Sequence, residues 1–150
     1  MNGLSFSIIK KPEGIEVLRD KKSSYKDLNI AYDEATLDLL KKNIEREDSL
    51  YLIVNEGEKF VAFCSVDSDW WEDGYFFIRE IFVEPDFQRQ QIGEKLMKQC
   101  IEHAQQRHAV GVVTETAFEN HPMQKLCAKL GFKEWDNPQW KKGITFKLML

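Results

Sequence analysis

The chain has 150 residues, a length that suits one domain, and its 43% hydrophobic and 12% aromatic content can fill a sizeable core. Its formal net charge of −4, with 31% charged residues, argues against a general nucleic-acid binder, whose footprint is basic. No window approaches the roughly 18 apolar residues of a membrane helix, so no membrane partner is expected.

The opening stretch, "MNGLSFSIIKKPEG", has no long apolar run after its charges and does not read as a signal peptide. "SFSIIKK" alternates and predicts a first strand, closed by Pro12 and Gly14. From about Glu16 to Glu47 the pattern is mainly helical, with Leu37, Leu39, Leu40 and Ile44 at helical spacing and "DEAT" as a start signal. "SLYLIVNEGEKFVAFCSV" predicts a hairpin around "NEGEK". After the loop "DSDWWEDG", "YFFIREIFV" is rich in β-branched and aromatic residues and reads as a strand.

From Ile92 the period changes to that of a helix: Ile92, Leu96, Met97, Cys100, Ile101 and Ala104 share one face. "AVGVVTETA" reads as a buried strand. Asn120, Pro122 and Gly131 mark the cap, first turn and end of another helix. "FKEW" and "ITFKLML" predict two final strands. The order β, helices, β, β, β, α, β, α, β, β predicts an α/β or α+β domain with one mixed, mostly antiparallel sheet. Cys64, Cys100 and Cys127 form no CxxC pair, which suits reduced thiols and a cytoplasmic location. His103, His108 and His121 have no metal-ligand spacing with one another or with the cysteines, so no metal is expected.

One stretch carries chemistry. In "EPDFQRQQIGEKLM" a strand ends at Pro85, a polar loop follows, and Gly93 opens a helix. The first N–H groups of a helix have no partner within it and lie at the positive end of its dipole, so a phosphate can rest there. Gln88, Arg89, Gln90, Gln91, Ile92, Gly93 and Glu94 would line such a cradle, with Arg89 adding a charge-assisted contact. Strand, turn and helix with one glycine are common, and taken alone the signal is modest.

The stretch "IFVEPDFQRQQIGEKLM" resembles the acetyl-CoA signature of the GNAT N-acetyltransferase superfamily, a strand ending V-x-P, then Q/R-x-x-G-x-G/A, then a helix. Val83, Pro85, Gln88 and Gly93 match, and Gln91 stands where the first glycine is usual. A glutamine there would be expected to keep a negative φ. Further on, "NHPMQKLCAKLGF" resembles the family's N-x-x-A-x-x-L-Y-x-K-x-G-F: Asn120, Leu126, Lys129, Gly131 and Phe132 coincide, while Met123 replaces alanine and Cys127 replaces tyrosine. The resemblance covers roughly residues 50 to 150. It implies a GNAT-like fold with six to seven strands flanked by helices, acetyl-CoA as co-substrate, and transfer of an acetyl group to a primary amine.

It also implies that pantetheine pairs with the strand at Ile81, Phe82 and Val83 like an added strand, with Asn120 close by. The acceptor amine must lose a proton, which makes Glu80 the candidate base; the alternative is a structural ion pair. Strand alternation places Glu80 on the face opposite Arg79. Cys127 is a candidate acid in place of the family's tyrosine, or else a small buried hydrophobe. Arg79 could order a substrate carboxylate. Trp70 and Trp71, among Asp67, Asp69, Glu72 and Asp73, could hold a cationic substrate, or could be a solvated loop with one indole packed beneath. The expected acceptor is a small-molecule amine, with a protein amine or a non-catalytic CoA-binding regulator as alternatives. A homodimer is possible.

Overall fold

The computed structural model describes residues 3–19, 21, 32–88 and 91–150. Seven strands form one sheet in the order β1-β2-β3-β4-β5-β7-β6. They are β1 (Leu4–Ile8), β2 (Leu50–Glu56), β3 (Lys59–Asp67), β4 (Tyr75–Val83), β5 (Gly111–Thr116), β6 (Lys133–Trp135) and β7 (Ile144–Met149). Every neighbouring pair is antiparallel except β4–β5. This is the mixed, mostly antiparallel sheet the sequence predicts. Its edges are β1 and the three-residue β6, while β7 lies inside.

The helices cover the sheet on both faces. Helix α2 (Ile92–Gln106) buries Ile92, Leu96, Met97, Cys100 and Ala104 against Val61, Ala62, Cys64, Ile78 and Val112. Helix α3 (His121–Lys129) adds Cys127 to the same core. On the other face, helix α1 (Glu34–Asn43) and a 3-10 turn over Pro12–Leu18 place Ile15, Leu18, Leu37 and Leu40 on Tyr51, Phe63 and Phe82. Burying each such aliphatic side chain contributes about 1.5–3 kcal/mol.

The caps follow the sequence. Asp33 accepts from the Thr36 N–H at 2.9 Å and opens α1. Asn120 accepts from the Met123 N–H at 3.3 Å and opens α3, and Gly131, at φ 95°, follows its end. The expectation of helix from about Glu16 to Glu47 is only partly met. The described part of that stretch holds the end of the 3-10 turn, which starts at Pro12, and α1; the rest of the predicted helix between them falls largely outside the described residues. Among the described residues no helix is long and apolar enough to cross a membrane.

Candidate active site

The sheet splits where the sequence places its motif. β4 and β5 pair in parallel only from Tyr75↔Gly111 to Ile78↔Thr114, yet β4 runs on to Val83. The β5-facing edge of Arg79–Val83 is therefore open. On the other edge the Glu84 N–H donates to Val61 O at 2.8 Å. Backbone groups alternate along a strand, so Phe82 also turns to β3, while Ile81 and Val83 direct their amides and carbonyls into the gap. The expectation that Phe82 shares in this edge is thus corrected. Its backbone is turned to β3 and its ring packs with Tyr32 and Phe60 on the α1 face. Gln88 closes the end of the gap, with Nε2 donating to Val83 O at 3.3 Å.

The mouth of α2 opens beside this edge. The first intrahelical bond runs from Lys95 N–H to Gln91 O, so the amides of Ile92, Gly93 and Glu94 have no partner within the helix. A Cβ at Gly93 would meet Ile81 and Leu126 only at 3.7 Å, ordinary contact, so packing in the chain itself does not require glycine there. The Glu94 carboxylate is drawn outward by hydrogen bonds from Lys129 (2.7 Å) and Lys98 (3.0 Å), which hold its pKa below the usual range. Only its amide is left for the cradle.

Gln91 corrects a second expectation: its φ is 63° and its ψ 16°, the left-handed region that glycine adopts freely. The backbone turn of the motif is kept without the glycine, at a cost of about 1–2 kcal/mol. Arg89 and Gln90 lie outside the described residues. An open strand edge and three amides without a partner among the described residues fit an amide-bearing arm ending in a diphosphate, the form of coenzyme A.

A bulge decides which side chains meet beside the gap. Ser65 pairs with Glu80 and Val66 with Ile78, leaving Arg79 as the extra residue of β4. Ile78 and Ile81, three apart, consequently both join the α2 core. Arg79 and Glu80, between them, are both displaced to the opposite face. The predicted separation of Glu80 from Arg79 is therefore overturned: simple alternation fails across an inserted residue.

Glu80 is partly buried, and its Oε2 accepts from Tyr32 Oη at 2.8 Å. Burial pushes its carboxyl from 4.5 up to about 7 against the opposing effect of the Tyr32 hydrogen bond. The hydroxyl of Ser65, its cross-strand neighbour, is buried and has no partner among the described residues. Across the gap on β5, burial also raises the carboxyl of Glu115. Tyr32, Ser65 and Glu115 escaped sequence reasoning because nothing local marks them. Only the sheet register brings them towards Glu80.

Other expected residues are already engaged. Arg79 donates to both oxygens of the fully buried Asp67, at 3.0 and 2.8 Å, and to Asp69 O at 2.8 Å. Glu72 accepts from Lys147 at 2.6 Å. Trp70 packs against Phe77 with centroids 5.0 Å apart and the rings tilted by 42°, and Trp71 leans on Trp135 at 5.8 Å. The carboxylates of Asp67, Asp69 and Glu72 in the tryptophan loop thus face the chain's own cations.

Cys127 has no exposed surface, and burial pushes its thiol up to about 12. A proton donor to a leaving thiolate must face the gap, so the acid expectation gives way to packing. Among the described residues no group of His, Cys, Asp or Glu could hold a metal ion.

Comparison with known proteins agrees with this geometry. The family model described as acetyltransferase (GNAT) family matches residues 16–132. An uncharacterized N-acetyltransferase of Methanocaldococcus jannaschii is 30% identical over 95 residues, covering 61% of this chain and 42% of its own. The chain spans about half the length of the curated relatives it matches, the second, from Bacillus subtilis, being covered over 58%. Among solved structures, PaiA N-acetyltransferase from Thermoplasma acidophilum in complex with coenzyme A superposes with a TM-score of 0.72 at 16% identity, over 97% of this chain and 99% of that one. The ribosomal-protein-S18-alanine N-acetyltransferase of Escherichia coli gives 0.73 at 17% identity, over 97% and 93%. At such identities the structures establish the fold.

Proposed function

We propose that this chain, which belongs to the GNAT acetyltransferase family, moves an acetyl group from acetyl-CoA to a primary amine by direct attack of the amine on the thioester. The observation that carries the reading is the gap between β4 and β5, with a carboxylate of raised pKa beside it. Acetyl-CoA supplies the activated acyl carbon; the chain supplies position and proton transfer.

The amide and carbonyl of Ile81 and the carbonyl of Val83 hold the pantetheine arm. The amides of Ile92, Gly93 and Glu94 hold the diphosphate, with Gln88, Arg89, Gln90 and Gln91 forming its loop. Asn120, while capping α3, borders the thioester end. The acceptor arrives protonated, since such amines titrate near ~10.4. Tyr32 occupies Oε2 of Glu80, which leaves Oε1 to receive the proton, directly or through one water. A carboxyl titrating near 7 is suited to that task at neutral pH. The Val83 N–H, directed into the gap, can donate to the oxyanion formed as the amine adds to the thioester carbon; its collapse breaks the C–S bond, and the coenzyme A thiolate leaves and takes a proton from water or from Glu80.

Glu80 and Glu115 make the acceptor side favourable to a cation, which supports a small-molecule amine such as a polyamine. A second reading, an N-terminal alanine, is favoured by the similarity to the E. coli ribosomal-protein-S18-alanine N-acetyltransferase. A thiol-release assay with acetyl-CoA, run on spermidine and on an alanine-led peptide, tests both. Turnover of spermidine alone supports the first reading, and turnover of the peptide alone replaces it with the second. Coenzyme binding without turnover of any amine would make the chain a CoA-binding regulator.

A further inference from the structure

At the far end of α2 lies a cavity of about 510 Å³ that the transfer reaction does not use. From Gly93 to Arg107 the helix rises about 20 Å at 1.5 Å per residue, so this cavity is remote from the coenzyme cradle. Its walls are the end of β1, the turn joining α1 to β2, and the polar stripe Gln99, Glu102, His103 and Gln106 of α2. Positions 99, 102, 103 and 106 fall on one helical face. The volume is that of a small-ligand site.

Three features give this cavity a chemistry. The first is charge: Lys10, Arg46 and Arg107 line it against one carboxylate, Glu102. Arg46 is met by Asp48 at 3.3 Å, but Lys10 and Arg107 have no carboxylate partner among the described residues. The second is an apolar wall of Ile9, Ile44 and Leu50.

The third is a waiting acceptor. His103 Nε2 lies 2.8 Å from Asp48 O, and a backbone carbonyl can only accept, so Nε2 carries the hydrogen. Burial lowers the pKa of the ring and keeps it neutral, which leaves Nδ1 as a bare acceptor.

The geometry points to a binding site here for a small organic anion. Its acidic group lies against Lys10 and Arg107, its apolar body on Ile9, Ile44 and Leu50, and an N–H or O–H of its own on His103. Anilinonaphthalene sulfonate combines a sulfonate, an aromatic body and one N–H, and its fluorescence reports its binding. Titrated into the full chain in saturating coenzyme A, it binds one site per chain. Arg107→Glu weakens that binding about tenfold, the scale of one charge-assisted contact. Glu102→Gln strengthens it about threefold while one site per chain and the parental melting temperature are kept, which separates the gain from the extra probe binding of a loosened fold. Neutral anilinonaphthalene binds at least about tenfold more weakly. Displacement of the probe by coenzyme A, equal binding of the neutral compound, or indifference to both substitutions would each overturn the assignment.

Discussion

Replacing Glu80 with glutamine should slow the proposed transfer and stabilise the chain at the same time. In the folded chain the carboxyl titrates near 7, and unfolded it returns to about 4.5. Between these values the native state binds more protons than the unfolded state, so this contribution to stability is full below 4.5 and lost as pH rises through 7. At 1.36 kcal/mol per pKa unit the loss approaches about 3 kcal/mol, which partial exposure of the group trims to about 2 kcal/mol. Glutamine keeps the shape and can still accept from Tyr32, but it never ionises. At pH 8 Glu80→Gln should therefore melt about 4–8 °C above the parent, and at pH 4.5 the two should coincide. Thiol release should fall about 10²–10⁴-fold, and the rise of kcat/KM through pH 7 should disappear. The reasoning fails if that pH limb survives with parental turnover. It also fails if the variant melts lower at pH 8, which would make the ionised carboxylate a structural partner.

Gln91→Gly should raise stability by about 0.5–1 kcal/mol in a urea melt, because the left-handed turn costs glycine nothing, and should leave coenzyme affinity intact. Cys127→Ala should cost about 1–2 kcal/mol by opening a small void, with the pH–rate profile unchanged; loss of a basic limb would restore the thiol as an acid. Arg79→Met should cost about 3–5 kcal/mol by stranding the buried Asp67, and adding Asp67→Asn should recover most of it.

Much of this arrangement could be read from the chain. β4 was legible because nine residues from Tyr75 to Val83 combine β-branched and aromatic side chains. Helix α2 was legible because its apolar residues recur at helical spacing and Gly93 stands at its start. What escaped depends on register. The extra residue at Arg79 leaves no local mark, and it alone moves Arg79 onto the face of Glu80. Gln91 was expected to avoid a positive φ because side chains disfavour it, yet it adopts one immediately before α2. His103 reads as a polar residue on a helix, but its bond to Asp48 O lets it be buried. The pairing of Tyr32 with Glu80 spans 48 residues, which no periodicity can register.

The proposed coenzyme site rests on three helix-mouth amides and an unpaired strand edge acting together. Calorimetric titration of the chain with coenzyme A, and in parallel with pantetheine, which lacks the diphosphate, tests this most directly. One site per chain for coenzyme A, with pantetheine at least about a hundredfold weaker, is the expected result. Equal affinity for the two ligands, or no heat with coenzyme A, would contradict it.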